Sequence, residues 1–191
     1  MLAPTGINVR SLDDFPEIGE IEENGSTFEE NALIKARKVA SVTGLPSLAD
    51  DSGLMVDALS GAPGIYSARF GNDISTLPGE TRDQRNTRKL LKLMENVPAS
   101  ERACQFVTAM ACALPGGPEL VTRGEWRGRL LFEPQGQNGF GYDPVFFDLE
   151  LEKAAAELDS AEKNARSHRG KALRAMLEKL PTFLGIADDA S

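Results

Sequence analysis

Two long alternating segments joined by a Pro/Gly turn set the first limit on what this chain can become. Residues 103–114 and 119–132 each alternate apolar and polar positions, and Pro115-Gly116-Gly117-Pro118 lies between them. That is the pattern of a β-hairpin. Cys104, Phe106, Met110, Cys112 and Leu114 give one apolar face, with Thr108 as its single polar interruption.

Helices flank the hairpin in sequence. Ser26-Thr27-Phe28-Glu29 matches a capping box, and Phe28, Ala32, Ala36, Val39 and Ala40 repeat at helical spacing until Gly44. This predicts a helix over 26–43. Thr81-Arg82-Asp83-Gln84 opens a second helix, running to about Asn96, with Leu90, Leu91 and Met94 as its apolar stripe. Val145-Phe146-Phe147 reads as a short strand, and helical segments from Ser160 to Leu180 carry Leu173, Met176, Leu177 and Leu180 inward. Long strands with helices on both sides predict an α/β domain with a mixed sheet. One domain spans 1–191, and residues 185–191 read as a frayed acidic tail.

Composition narrows the function. A formal charge of −8 argues against a nucleic-acid polymer as partner, because that needs a basic face. No apolar run approaches the roughly 20 residues of a bilayer span, and no signal peptide is seen, so the default compartment is cytoplasmic. Cys104 and Cys112 on one strand would stand about 26 Å apart at ~3.3 Å per residue, too far to pair. Two buried free thiols fit a reducing compartment. With one histidine and no Cys/His cluster, a structural zinc site is not expected.

The chemistry concentrates in a few short runs. Ala49-Asp50-Asp51-Ser52-Gly53 follows the apolar Leu45-Pro46-Ser47-Leu48, which reads as a buried strand emptying into a tight turn. Carboxylates at a strand exit can face a cleft and bind a hard cation such as Mg²⁺. Asp50 and Asp51 point to opposite faces of extended backbone, so they do different work. A turn-capping role is the plain alternative.

Gly61-Ala62-Pro63-Gly64-Ile65-Tyr66-Ser67-Ala68-Arg69 could wall a cleft or simply connect two elements. In Gly139-Phe140-Gly141-Tyr142-Asp143-Pro144, glycines flank an aromatic that could stack on a nucleobase, or the segment is a β-turn feeding the core. Lys163, Arg166, His168, Arg169 and Lys171 form the densest basic cluster of the chain, with Ser-His-Arg-Gly interrupting the helix at Gly170. Glu22 and Glu23 precede the first helix and could add a second carboxylate near Asp51, or only complement the helix dipole.

Together the segments 22–35, 47–54, 61–70, 139–147 and 162–173 resemble the inosine/xanthosine triphosphate pyrophosphatases, in the right order over nearly the whole chain. The resemblance implies two α/β lobes around a long mixed sheet, with the active cleft between them. It implies Mg²⁺-dependent hydrolysis of ITP, dITP and XTP to the monophosphate and pyrophosphate, usually by a homodimer. By position, Asp51 becomes proton acceptor and metal ligand, with Glu22 the second carboxylate and Glu23 the lesser alternative. Ser52 touches substrate, Phe140, Gly141, Tyr142 and Asp143 hold the base, and Lys163, His168 and Arg169 read its edge. Donors there suit the 6-oxo group of hypoxanthine or xanthine and oppose the amino group of adenine.

The resemblance is interrupted at Met1-Leu2-Ala3-Pro4-Thr5-Gly6-Ile7, which matches the stretch after the family's first helix. The family's opening strand and Thr/Ser-x-Asn-x-x-Lys phosphate loop are expected to be missing. A true start further upstream is one reading, and a weakened nucleotide-binding relative is the other. Residues 71–79 read as a surface insertion. A pyrophosphatase of low base selectivity is the enzymatic rival.

Overall fold

The computed structural model describes residues 7–186. The expected tail lies almost wholly outside the described residues, as do Met1 to Gly6. Helix α1 (Phe28–Thr43) is capped by Thr27, whose side chain accepts from the Glu30 amide at 3.1 Å, and Gly44 closes it in the left-handed region at φ 69°. The capping pair is therefore Thr27/Glu30, one residue later than Ser26/Glu29. The Glu30 carboxylate accepts from the Ser26 amide and hydroxyl at 2.6 and 2.7 Å, not from the Thr27 amide as a full capping box requires.

Strand β1 (Ser47–Val56) runs straight through Asp50-Asp51-Ser52-Gly53, where a turn is expected from sequence. The cause lies just downstream: Leu54 and Val56 are both fully buried, so the chain must stay extended to bury them. The turn comes later, at Asp57–Leu59. Asp51 is buried and Asp50 half-buried, in keeping with their opposite directions on the strand.

Helix α2 (Arg82–Leu93) has the anticipated capping box between Thr81 and Gln84. Strands β2 (Ala103–Ala113) and β3 (Glu119–Leu130) form the hairpin, closed where the Leu114 amide donates to Pro118 at 3.1 Å. Among the described residues, short strands β4 (Phe146–Asp148) and β5 (Lys153–Ala154) complete a five-stranded sheet in chain order. Helices α3 (Ser160–Arg166) and α4 (His168–Leu184) come last.

The sheet is antiparallel, not mixed. β3 pairs antiparallel with β4, and β4 with β5. The start of β1 shares a compact unit with the end of β2, so α2 brings the chain back running the other way. Neighbours in the sheet are neighbours in sequence. Gly170 does not break the last helix either. The break is Ser167, extended at ψ 156°, whose hydroxyl accepts from the Gly170 amide at 3.1 Å and caps α4.

The chain forms two compact units. The first holds residues up to Asp51, Ala109–Arg123, and the chain from Ala172. Its core gathers Met110, Cys112, Ala172, Met176 and Leu180. α1 lays Ala32, Ala36 and Ala40 inward and is tied to β3 by Arg37–Glu119 and Arg123–Glu29 ion pairs.

The second unit holds Ser52–Thr108 and Gly124–Lys171. Its core includes Leu54, Leu90, Phe106, Trp126, Leu130, Tyr142 and Phe146. Phe106 and Trp126 each lie 4.7 Å from Phe146 between ring centroids. The buried Arg102 guanidinium donates to the carbonyls of Met94, Leu130 and Leu131, stitching the end of α2 to the end of β3. Both cysteines are free and buried, and burial pushes the Cys104 thiol up to about 12. No helix of the described residues is long and apolar enough to cross a membrane.

Candidate active site

In the first unit, α1 and β1 bring four polar side chains together. Asp51 is 8% exposed on β1. Its Oδ2 accepts from Asn31 Nδ2 at 3.2 Å and its Oδ1 from Lys35 Nζ at 3.3 Å. Asn31 and Lys35 lie one helical turn apart, so one face of α1 presents both. Lys35 also donates to Glu23 Oε1 at 2.7 Å, while Asn31 Oδ1 accepts from the Gly25 amide at 2.8 Å. A Cβ on Gly25 would stand 2.7 Å from that oxygen, so glycine is what lets the 23–26 segment close on the helix.

Burial raises the Asp51 carboxyl above its ordinary range. The Lys35 charge and the Asn31 hydrogen bond oppose that rise, and the Glu23 charge adds to it. The balance leaves a carboxylate that is a better proton acceptor than one in water.

Two carboxylates converging on one ammonium are also oxygen donors for a hard divalent cation. Among the described residues no group of three or more His, Cys, Asp or Glu side chains gathers to hold a metal ion. A small hard cation keeps several waters and takes only one or two carboxylates beside substrate phosphates, so this pair fits one. The structure brings Glu23 into contact with the Lys35–Asp51 pair, whereas Glu22 is exposed.

In the second unit, a cavity of about 450 Å³ is lined by Ser52, Phe106, Phe140, Asp143, His168 and Arg169 among others. Ser52 shares a 2.8 Å hydrogen bond with Thr108, which accounts for the one polar interruption on the apolar face of β2. His168 is buried and stacks on Phe106, with centroids 4.7 Å apart and planes within 10°. Phe140 is 59% exposed, with Lys163 Nζ 4.8 Å and Arg169 Cζ 5.2 Å from its ring centre. An exposed aromatic flanked by two cations is a surface on which a planar, electron-rich ring can stack.

Asp143 is 2% exposed and turns Oδ2 to the Phe140 amide at 2.8 Å and to Lys163. Tyr142 is buried and donates to the Ser67 carbonyl at 2.9 Å. That carbonyl, with Ala68's, also accepts from Asn86 on α2. The Gly61–Arg69 segment is thus tied to the aromatic loop, and its Ser67 accepts from the Leu54 amide at 2.9 Å. Lys35, Asn31 and Asn86 are not found by sequence reasoning. The first two follow from helix periodicity once Phe28 is known to face inward.

The Ham1 family profile matches residues 1–179. The chain belongs to the Ham1 family. It is 54% identical over 178 residues to a dITP/XTP pyrophosphatase of Nitratidesulfovibrio vulgaris, covering 93% of this chain and 86% of that protein. A dITP/XTP pyrophosphatase of Lactiplantibacillus plantarum is 50% identical over 94% of this chain and 85% of its own length. The Staphylococcus aureus Ham1 protein superposes with a TM-score of 0.82 at 37% identity, covering 92% of this chain and 88% of that one. The family resemblance carried by the sequence motifs is borne out.

Proposed function

We propose that this Ham1-family chain is a dITP/XTP pyrophosphatase, hydrolysing ITP, dITP and XTP to the nucleoside monophosphate and pyrophosphate. The observation that carries the reading is Asp51, a buried carboxyl of raised basicity that accepts hydrogen bonds from Lys35 and Asn31. Water attacks the α-phosphorus, the bond from that phosphorus to the bridging oxygen breaks, and pyrophosphate leaves. Asp51 accepts the proton of the attacking water. Asp51 and Glu23 would hold Mg²⁺, which when bound neutralises phosphate charge. Glu22 remains the other acidic neighbour proposed for that ion.

Ser52 follows Asp51 directly on β1, so the residue that takes the proton and the first residue of the base pocket are consecutive. Phe140 stacks on the purine, with Gly141, Tyr142 and Asp143 shaping its loop. Lys163, His168 and Arg169 donate to the 6-oxo edge, and an adenine amino group at that edge leaves them opposed or unpaired. The two compact units are read as the two lobes of the family fold. A cytoplasmic homodimer completes the proposal.

The test is a panel of ITP, dITP, XTP, GTP and ATP with released pyrophosphate measured in Mg²⁺, and Asp51→Asn as control. ITP and XTP above ATP, with the control inactive, is the expected result. Undiminished turnover by the control removes Asp51 from its role, and tight ITP binding without turnover by the unaltered chain favours a catalytically weakened nucleotide-binding protein.

A further inference from the structure

Phe140 carries base recognition in this reading, yet little packing holds it. It is 59% exposed, and an added Cβ at Gly141 would meet nothing within 4 Å. Cavities lie along the loop as well: Asp83, Phe140 and Gly141 line both the 450 Å³ base pocket and a second space of about 670 Å³ that also reaches Thr87, Arg88 and Pro134. A loop with space beside it is held by its tethers.

Two tethers hold successive amides. The Phe140 amide donates to Asp143 Oδ2 at 2.8 Å, within the loop itself. The Gly141 amide donates to Asp83 Oδ2 at 2.7 Å, from the first turn of α2, 58 residues away. Two consecutive N–H groups form an anion-receiving concavity, and here each is met by a carboxylate. Gly141 has φ +61°, and Gly139 has φ +77° with Asp143 Oδ2 pressed against the place a Cβ would take, so the loop depends on both glycines. Asp83 anchors the loop to α2, as Asp143 through Lys163 anchors it to α3, and of the two carboxylates only Asp83 lies outside the loop. Its other oxygen lies 3.7 Å from Arg82 Nε, a contact within α2 that does nothing for the loop.

We infer that Asp83 is a positioning residue for base recognition: through the Gly141 amide it holds the Phe140 shelf at one setting between two cavities. The inference rests on the pyrophosphatase reading of the same pocket. A charge-assisted bond to a backbone amide at the end of an otherwise open loop restricts where the ring can lie. Losing it costs affinity for the base and leaves the chemistry at Asp51 alone. Asparagine keeps an acceptor at that position, and alanine does not.

The test compares Asp83→Ala and Asp83→Asn in the full chain by ITP kinetics and by backbone amide exchange in the absence of nucleotide. Asp83→Ala should raise KM for ITP about tenfold with kcat within about twofold, and Asp83→Asn should recover most of that loss. Exchange at Gly141 should accelerate about tenfold or more in Asp83→Ala and return toward the original rate in Asp83→Asn, with amides of β2 unchanged in both. An active unaltered chain whose KM and Gly141 exchange are the same in Asp83→Ala overturns the inference alone. Equal losses in kcat for both variants also overturn it. An unaltered chain without ITP hydrolysis overturns the pyrophosphatase reading instead.

Discussion

Asp51 in the first unit and Asp143 in the second are both carboxylates taken out of water, and they are held differently. Asp51 meets two side chains, Asn31 and Lys35, at 3.2 and 3.3 Å, and burial still leaves its carboxyl raised. Asp143 meets a backbone amide at 2.8 Å and a close Lys163 ammonium. One carboxylate is loosely partnered and basic, which suits a group that must exchange partners during a reaction. The other is tied into its own loop, which suits a group that sets shape. Burial alone therefore does not mark a catalytic carboxylate; the nature of its partners does.

The largest effect expected from this contrast is at Asp51. Asp51→Asn keeps the shape and the Asn31 contact but removes the proton acceptor, and kcat for ITP should fall about 10³-fold, checked by pyrophosphate release. Its thermal midpoint should not fall, because a charge that burial disfavours has been removed. Asp143→Ala should do the reverse. Losing the partner of Lys163 and of the Phe140 amide should cost about 2 kcal/mol of stability by urea unfolding, with a loss of activity expressed mainly in KM.

Phe140→Ala tests the loop without touching either acid. Stacking on a base is worth about 1–3 kcal/mol, so KM for ITP should rise roughly tenfold or more while the unfolding midpoint stays within experimental error. The smallest effect concerns a third carboxylate, at the opposite end of the scale. Hydrogen bonding to Arg88 and the Leu77 amide draws Glu80 down from 4.5 to about 2. A depressed folded value contributes stability above the ordinary range that is lost as pH falls from about 4.5 toward 2. Glu80→Gln should flatten that part of the stability curve, and an unchanged slope would show that Glu80 gains nothing from its partners.

The two regions also differ in how far the sequence reveals them. Asp51 stands in a contiguous run, and its basicity follows from a strand that buries it. Thr81/Gln84, the β2–β3 hairpin and Gly44 are likewise local signals and form where expected. The misreadings have a common cause, in that distant partners override local chemistry. Asp-Ser-Gly is a turn by composition, but Leu54 and Val56 hold it extended in the core. Gly170 resembles a helix breaker, but Ser167 caps α4 first and leaves the glycine in the opening turn. Glu23 meets Lys35 because the approach of the 23–26 segment to α1 depends on Gly25 and Asn31, a closure that no local signal gives. No pattern of spacing joins Asp83 to Gly141, since that bond exists only once α2 and the aromatic loop are folded.

In the proposed reaction, this acidic corner acts on a water directed at the α-phosphorus. Hydrolysis of ITP by the unaltered chain in ¹⁸O-labelled water, followed by mass spectrometry of both products, tests it most directly. One ¹⁸O should appear in the phosphate of the monophosphate and none in pyrophosphate. Label in pyrophosphate, or release of orthophosphate in its place, would contradict it.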